Sequence, residues 1–297
     1  MLHAYIILNP AANRGAARRV KDPVARAFRS QGWTVEVALT ERPGHATELA
    51  RQAAINGAQR VIAVGGDGAV HEVANGLLQA RSDAQLGVIP VGSGNDFAKL
   101  VGVYGHSPER AVSRLVTAVP RRFDVGKVGD EWFVNSMGFG FGPAVVQLRN
   151  RMTGLTGFLS YLAPILRGFA TFQPPRFDVG SAQFTESGYM MMVEVCNGTT
   201  AGGSYRFAPN ADPADGMLDV CLIRRVSLLR FLLAIPRVIR GTHGTMKEVT
   251  IFQTARLTIR TPDVPLLLHL DGELREPGGH ECVVTLEKQR LNVLVAR

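Results

Sequence analysis

The sequence predicts an α/β domain built on a mostly parallel sheet, followed by a second domain of antiparallel β structure. Three observations support this fold class. Four aliphatic strand patterns alternate with amphipathic helix patterns over the first 100 residues, glycine-rich turns follow two of these strands, and short β-prone runs dominate after Phe123. Alternating strands and helices form parallel sheets, whose ligands bind at the carboxyl ends of the strands.

The individual elements follow from hydrophobic periodicity. In the first third, continuous apolar runs predict the strands HAYIILN, WTVEVALT, RVIAV and QLGVIPV. Helical spacing predicts helices in RGAARRVKDPVARAFRSQG, GHATELARQAAING, GAVHEVANGLLQ, NDFAKLVG and SPERAVSRLVTA. The first domain is therefore expected to comprise residues 1–122.

Beyond this boundary, β-branched and alternating residues predict a second domain over residues 123–297. Its expected strands are RFDVGKV, EWFVNSMGFG, YMMMVEVCNG, LDVCLIRRV, KEVTIFQ, ARLTIRT, LLLHLDGE and CVVTLEK. Helical insertions are expected near Leu155–Thr171 and Leu228–Arg240. The sequence leaves open whether the last strand, RLNVLVAR, joins the first or the second domain.

Composition narrows the class of protein. The three cysteines are odd in number and form no CxxC pair, which argues against a disulfide framework and a zinc site and favours a reducing cytoplasm. The net charge of +8 comes mostly from arginine, which suits phosphate and anionic lipid headgroups. The basic residues are scattered, which disfavours nucleic acid. The apolar stretch Leu155–Phe172 contains Pro164 and Arg167 and is expected to be amphipathic or buried.

The stretch VGGDG lies at the end of the third predicted strand, on the turn into a helix. Gly65, Gly66 and Gly68 allow the backbone to approach a bound group, and the helix start offers N–H donors to phosphate. Asp67 would repel phosphate unless a cation such as Mg²⁺ intervenes or the carboxylate binds a hydroxyl group, and its presence therefore favours a nucleotide–metal site. The alternative is a tight turn in which Asp67 only caps the helix.

The same arrangement recurs in VIPVGSGNDF at the end of the fourth strand. Ser93 could donate its hydroxyl to a phosphate, while Asn95 and Asp96 could cap the next helix or orient a metal-bound water. Asn9, in NPAANRG, follows the first strand and forms a third candidate. The sequence contains neither a Walker A motif nor GxGxxG, which disfavours P-loop enzymes and dinucleotide dehydrogenases.

Taken together, the ordered motifs NPAANRG, VGGDGAVHEVANGL, GVIPVGSGNDFAK, APNADPADGMLDV and LHLDGE resemble the diacylglycerol kinase-like lipid kinases, especially their soluble bacterial branch. That family is related to sphingosine and ceramide kinases and, more distantly, to NAD kinases and phosphofructokinases. The resemblance implies a Rossmann-like first domain, a β-sandwich second domain and a nucleotide in the cleft between them.

The resemblance also implies roles for individual residues. The segment Gly65–Glu72 matches the family's phosphate-binding loop, with Asp67 acting on the metal–nucleotide group. Nucleotide contacts are implied for Asn9, Thr40, Glu72 and Ser93. In the motif DGE, Glu273 is the implied catalytic base and Asp271 its metal-binding or orienting neighbour. An Asp-Gly hairpin turn is the alternative interpretation of this motif.

The motif DPADGMLD resembles the family's structural Mg²⁺ loop. The implied ligands are the carboxylate of Asp215 and the backbone carbonyls of Asp212 and Met217, although an ordinary turn would have a similar sequence. Two residues depart from the family pattern: Ala69 replaces a threonine, and His71 replaces an asparagine. We expect His71 to lie on the helix surface.

These implications predict a lipid kinase that uses ATP and Mg²⁺ to phosphorylate the hydroxyl of a membrane lipid, with diacylglycerol giving phosphatidic acid as the family default. The alternatives are a sphingoid- or ceramide-type lipid kinase, a non-catalytic or weakly active regulator that binds lipid or nucleotide, and a soluble-substrate kinase like NAD kinase. We expect a cytoplasmic protein, peripheral to the inner face of the membrane, with no nucleic-acid partner. The sequence leaves open whether it forms a homodimer and whether it prefers ATP to GTP.

Overall fold

The structure, a computed structural model, describes residues 2–151 and 159–297, and it describes the side chains of all of these except 149–164. The helices are α1 (Lys21–Ser30), α2 (His45–Ile55), α3 (Asp67–Gln79), α4 (Asp96–Leu100), α5 (Pro108–Val116), α6 (Phe141–Arg151), α7 (Leu159–Thr171) and α8 (Leu228–Arg240). Short 3₁₀ segments span Ala12–Val20 and His243–Thr245.

The strands of the first part of the chain are β1 (His3–Leu8), β2 (Thr34–Leu39), β3 (Arg60–Gly65), β4 (Gln85–Pro90), β5 (Val119–Val128), β6 (Glu131–Phe133) and β7 (Ser136–Gly140). The later strands are β8 (Arg176–Gly180), β9 (Thr185–Cys196), β10 (Leu218–Arg224), β11 (Val249–Thr254), β12 (Arg256–Arg260), β13 (Leu268–Leu270), β14 (Glu273–Arg275) and β15 (Glu281–Val295).

The first four strands form a parallel sheet in the order β2-β1-β3-β4. Their apolar side chains pack against flanking helices in one core that includes Phe28, Ile62, Leu77 and Phe97. The carboxyl ends of β1, β3 and β4 meet at one edge of this sheet, which is where the sequence places its glycine turns. The predicted α/β class with a Rossmann-like parallel sheet is confirmed.

The second half of the chain forms antiparallel sheets around a separate core that includes Phe139, Phe177, Leu222 and Leu257. One sheet contains β14-β13-β7-β9-β10-β11, and β9 also pairs with β8 in the second sheet, which continues through β12 and β15. The predicted antiparallel sandwich is confirmed.

The final strand links the two halves of the molecule. The predicted strands CVVTLEK and RLNVLVAR are one continuous strand, β15, which pairs with β12, with β5 and, in parallel, with β4. A register shift between Glu287 and Leu291 bends this strand, and Gln289 has a positive φ of 51° within it. The division at residues 122 and 123 falls inside β5 and stays a prediction.

The apolar stretch Leu155–Phe172 coincides with α7 where it is described, while its first residues, 155–158, lie outside the described residues. Phe169 and Phe172 pack with Phe141 in a small aromatic cluster, so this end of α7 faces inward. Within residues 2–151 and 159–297, no helix combines the length and hydropathy needed to cross a bilayer.

Candidate active site

Two glycine turns pack directly against each other at the carboxyl ends of β3 and β4. Gly65 pairs with Pro90 in the sheet, and just beyond it a Cβ built on Gly66 would lie 3.2 Å from the Cα of Gly92. The approach is too close for side chains on either turn. The two predicted phosphate loops therefore form one continuous backbone surface at the start of α3.

Asp67 begins α3 at the centre of this surface. Burial, followed by the neighbouring carboxylates of Asp96 and Asp271, raises the pKa of Asp67 to about 6, although the N–H groups of Phe97 and Asn95 oppose the shift. The Phe97 N–H donates to Asp67 Oδ1 at 3.2 Å. Three acidic groups thus converge here, an arrangement that a bound cation would stabilise.

Asp271 and Gly272 form the two-residue turn between β13 and β14. Both have positive φ, 50° and 91°, and Leu270 pairs with Glu273 across the turn, as expected for a type I′ hairpin. The hairpin interpretation of DGE is therefore correct. It does not exclude a catalytic role, because the turn places both carboxylates at the cavity.

The Asp271 carboxylate is almost fully engaged by its neighbours. Its Oδ1 accepts the N–H groups of Asn135 and Ser136 at 2.8 and 3.0 Å, and its Oδ2 accepts the Val134 N–H at 3.0 Å. His71 Nδ1 lies 2.9 Å from the same Oδ2. Asp271 is buried and ties the loop before β7 to helix α3, a geometry that favours an orienting role.

Glu273 differs from Asp271 in its exposure and in its hydrogen bonds. Its side chain is exposed, and its carboxylate lies over the first turn of α3, where a Cβ built on Gly68 would overlap Oε1 and lie 3.3 Å from Cδ. Among the described residues, no hydrogen-bond donor is placed on this carboxylate. Glu273 is thus available to accept a proton from a ligand beside the phosphate loop.

The remaining predicted nucleotide residues divide into two groups. Asn9, Thr40 and Ser93 line the cavity next to the glycine turns. Asn95 and Asp96 instead bond within the protein. Asn95 lies at the N-cap position of α4, but its side chain bonds the N–H and the carbonyl of Gly92, at 3.0 and 2.6 Å, and makes no capping hydrogen bond to the helix.

Asp96 and Glu72 also bond within the protein. Asp96 accepts Lys99 Nζ at 2.9 Å and the Gly203 N–H at 2.7 Å, which ties the loop after β9 to the site. Glu72 accepts the N–H groups of Gly44 and Ala46 at 2.9 and 3.0 Å, and so satisfies the start of α2. Both residues still line the cavity.

His71 was expected on the helix surface, and that expectation is wrong. Only 3% of the residue is exposed, because α3 packs against β6, which carries Glu131, and His71 contacts Asp271 in the turn between β13 and β14. Its Nε2 lies 3.5 Å from Arg275, which in turn pairs with Glu131 at 2.8 Å. Gly76 lies within α3, which continues to Gln79, and it allows α3 to pack closely on α2.

One cavity of about 1910 Å³ is lined by Asp67, Asp271, Glu273 and the two glycine turns, and it extends well beyond them. Four basic residues line its end near β1 and β2: Arg14, Arg18, Lys21 and Arg42. The other end is apolar and is lined by helices α6, α7 and α8 together with β9, β10 and the loop between these two strands. Its side chains include those of Phe141, Met191, Met192, Phe207, Ile223 and Phe231. The cavity can therefore hold an anionic group at one end and an aliphatic group at the other.

A buried pair that the sequence did not predict lies in the wall between these two ends. His269 Nε2 is 3.5 Å from Glu194 Oε1, and both residues are less than 10% exposed. Burial alone lowers the pKa of His269, but the Glu194 carboxylate outweighs that effect and raises it. His269 precedes Asp271 by two residues, so the period of a strand could have indicated that it shares the site-facing side.

The DPADGMLD loop lies apart from the cavity. Arg121 pairs with Asp212 at 2.7 Å, and Asp215 accepts the Met217 N–H at 2.9 Å and the Gln253 amide at 3.2 Å. Gln253 also bonds Asp219 at 3.3 Å, so one amide holds two carboxylates together. The Mg²⁺ role of Asp212, Asp215 and Met217 stays a prediction.

The donor sets show what kind of metal binding this chain fits. Among the described residues, no group of three His, Cys, Asp or Glu side chains could hold a metal ion unaided. Mg²⁺ often binds through one or two carboxylates together with substrate phosphates and water. The carboxylates converging on Asp67 fit that mode.

Residues 3–128 match the family model described as the diacylglycerol kinase catalytic domain, and residues 135–295 match the one described as the YegS C-terminal NAD kinase beta sandwich-like domain. The two matches together cover both halves of the fold.

Individual proteins are similar over nearly the whole chain. A "Probable lipid kinase YegS-like" of Chromohalobacter salexigens is 34% identical over 93% of this chain and 88% of its own. A "Diacylglycerol kinase" of Bacillus subtilis is 28% identical over 92% of this chain and 90% of its own. A crystal structure of a diacylglycerol kinase from Bacillus anthracis superposes with a TM-score of 0.71 and 20% sequence identity. The superposition covers 99% of this chain and 96% of the Bacillus anthracis chain.

Proposed function

The chain belongs to the diacylglycerol kinase-like lipid kinase family, and from that premise we propose that it transfers the γ-phosphate of ATP to the hydroxyl of a membrane lipid. The observation that carries the proposal is the position of Glu273. Its exposed carboxylate lies against Gly68 on the phosphate-loop surface, inside a cavity with a basic end and an apolar end.

The cavity supports two binding regions for the two substrates. The nucleotide phosphates would bind the paired glycine turns and the N-terminus of α3, near Arg14, Arg18, Lys21 and Arg42. Asn9, Thr40 and Ser93 would contact the same nucleotide. The acyl chains would lie among the aromatic and methionine side chains of the apolar end, so that the lipid hydroxyl points towards Glu273.

The chemistry requires an oriented nucleophile and a proton acceptor. Glu273 would accept the proton of the lipid hydroxyl as the oxygen attacks the γ-phosphorus and the bond to the β-phosphate oxygen breaks. Asp271 would fix the geometry of the hairpin through its contacts with the loop before β7 and with His71. Asp96 and Lys99 would hold the loop after β9 against the site through their contacts with Gly203.

Asp67, near Asp96, would hold the Mg²⁺ that accompanies the nucleotide, and that ion would supply charge neutralisation at the phosphates. A carboxylate whose pKa is raised to about 6 by its surroundings gains from a nearby cation. Asp215 and the backbone carbonyls of Asp212 and Met217 would hold a second, structural Mg²⁺ in the other domain.

Diacylglycerol, giving phosphatidic acid, is the first lipid to test, because similar proteins bear that name. A sphingoid base or ceramide is the second. The lipid would be reached at the inner face of the membrane by a peripheral protein in the cytoplasm. The net charge of +8 supports contact with anionic headgroups.

The proposal is tested by transfer of labelled γ-phosphate from ATP, with Mg²⁺, into a total lipid extract. Wild-type protein is expected to yield a labelled lipid that can then be identified. Glu273→Gln should lose at least about 100-fold in turnover, since a positioned base contributes roughly 10²–10⁴-fold. Nucleotide binding by this variant should be unchanged.

Glu276→Gln is the matched control, because Glu276 is an exposed glutamate near the same hairpin that does not line the cavity. It should label lipid as the wild type does. Equal labelling by Glu273→Gln and wild type would refute the catalytic assignment. An absence of labelled lipid from wild type, despite nucleotide binding, would instead favour the non-catalytic regulator.

A further inference from the structure

Helix α8 is apolar on two opposite faces. Phe231, Ala234, Ile235 and Val238 repeat at the spacing of one helix face and line the apolar end of the cavity. On the other side, Leu229, Leu232, Leu233 and Pro236 repeat at the same spacing and are exposed. A helix that is apolar on both sides is normally buried on both sides.

The outward face of α8 is the largest concentration of exposed aliphatic side chains among the described residues. Leu229 and Leu233 are 68% and 64% exposed, and Leu228, Leu232 and Ile239 are each more than 40% exposed. The other large exposed hydrophobic residues are distributed over several elements. Contiguous apolar patches of this kind mark contact surfaces.

The charged side chains of the segment that contains α8 are all basic. The segment from Arg224 to Lys247 contains five arginines and one lysine and no acidic residue. Arg224 and Arg230 pair with Glu186 and Glu248, but no carboxylate of the described residues pairs with Arg237 or Arg240. Both of these arginines are exposed at the C-terminal end of the same helix.

An apolar stripe flanked by arginines is the pattern of a helix that lies in the interface of an anionic bilayer. A second protein chain would be expected to bring carboxylates for each free arginine, whereas anionic headgroups supply that charge over a whole surface. The location adds to the argument, because the inward face of the same helix forms the wall of the apolar cavity.

We propose that the outward face of α8 docks this protein on anionic bilayers, with Leu229 and Leu233 inserted and Arg237 and Arg240 at the headgroups. This inference rests on the proposed function in one respect, namely that the apolar cavity holds a lipid. The docked helix would then separate the bilayer from the cavity by one helix thickness, so that a lipid enters beside α8.

Co-sedimentation with vesicles tests the docking surface without any catalytic step. Two kinds of vesicle are compared. One is pure phosphatidylcholine, and the other also contains about 30 mol% phosphatidylglycerol, which gives the bilayer a negative surface potential. Leu229→Ser/Leu233→Ser should weaken binding by at least about 30-fold. Arg237→Gln/Arg240→Gln should weaken it by about 30-fold on the anionic vesicles only.

The matched control is Ile55→Ser/Val264→Ser, which removes two exposed aliphatic side chains elsewhere, 57% and 41% exposed. It should bind vesicles as the wild type does. Phosphorylation of lipid dispersed in detergent micelles should be the same for all these proteins. If the α8 variants bind vesicles as the wild type does, the proposed docking surface is wrong. Lipid phosphorylation in micelles by the same proteins would show that the kinase proposal still holds.

Sedimentation velocity without lipid tests the alternative that the outward face of α8 is a contact between two copies of this chain. The wild type is expected to show the same oligomeric state as Leu229→Ser/Leu233→Ser. A wild-type dimer that dissociates in this variant, combined with equal vesicle binding by both proteins, would overturn the proposal and identify the face as a contact between copies of the chain.

Discussion

Replacing Gly68 with alanine separates the position of Glu273 from the stability of the fold. A Cβ at position 68 would overlap Glu273 Oε1 and lie 3.3 Å from its Cδ. The overlapped atom is the end of an exposed, flexible side chain, so the carboxylate can rotate away at little energetic cost. Alanine also has a better helix propensity than glycine by up to about 1 kcal/mol.

We therefore expect Gly68→Ala to fold with unchanged or slightly higher melting temperature and to lose activity. Relief of the overlap requires the carboxylate to move by about 1 Å, a misplacement that can cost roughly 100-fold in rate. That loss corresponds to about 2.7 kcal/mol of transition-state stabilisation. Gly188→Ala is the matched control, since a Cβ there meets no heavy atom within 4 Å.

The assay is turnover with lipid in detergent micelles, measured for Gly68→Ala, Glu273→Ala and the double variant. If alanine 68 acts by displacing Glu273, the double variant should be no slower than Glu273→Ala. Additive losses would show that the new methyl group interferes with the phosphates instead. Full activity of Gly68→Ala would refute the placement of Glu273 as the base.

Three further predictions follow from the site and the second domain. Because the pKa of Asp67 is raised to about 6, its ionised form destabilises the ligand-free fold above that pH. Asp67→Asn should thus raise the melting temperature at pH 8 and change it little at pH 4. Asp271→Asn should lower stability by about 2 kcal/mol in chemical denaturation, since the amide nitrogen that replaces Oδ2 cannot accept the buried Val134 N–H, whereas Glu273→Gln should not. If Asp215 holds a structural Mg²⁺, EDTA should lower the melting temperature of the wild type but not that of Asp215→Ala, and an equal response of both proteins would remove the metal assignment.

The parallel sheet could be predicted because its signals are local. Each strand, glycine turn and helix of the first domain lies in one short segment, and ligand sites in such sheets occur at the carboxyl ends of strands. That rule predicts from the sequence that Asn9, Gly66, Asp67 and Ser93 lie at one edge of the sheet. The α8 helix was likewise predicted as Leu228–Arg240, the bounds that the structure gives it.

The errors arise where distant segments meet. His71 looked like a surface residue because only α3 itself was visible in the sequence, whereas Asp271, 200 residues later, lies 2.9 Å away. The continuity of β15 was missed for a related reason. The two predicted strands are separated only by Gln289, which lies in the register shift between Glu287 and Leu291 and has a positive φ of 51°.

The two acids of the DGE motif acquire different roles from the geometry of one turn. The type I′ hairpin directs Asp271 inwards, where backbone N–H groups and His71 engage its oxygens, and leaves Glu273 exposed over Gly68. The sequence alone does not show which of the two carboxylates orients the site and which accepts the proton, because that difference depends on which carboxylate oxygens receive hydrogen bonds from the protein.

The same reasoning bears on Ala69, the departure that favours a non-catalytic relative. Ala69 is 7% exposed, and a Cβ on Gly65 would lie 2.6 Å from its own Cβ, so the turn is tightly packed without a hydroxyl. The loss is one side-chain donor beside a surface of backbone N–H groups. Against it stands Asp67, whose buried charge near two other carboxylates destabilises the ligand-free fold. The retained carboxylate is explained by a cation bound with the nucleotide phosphates, and the exposed proton acceptor Glu273 is the feature that argues for phosphoryl transfer over nucleotide binding alone.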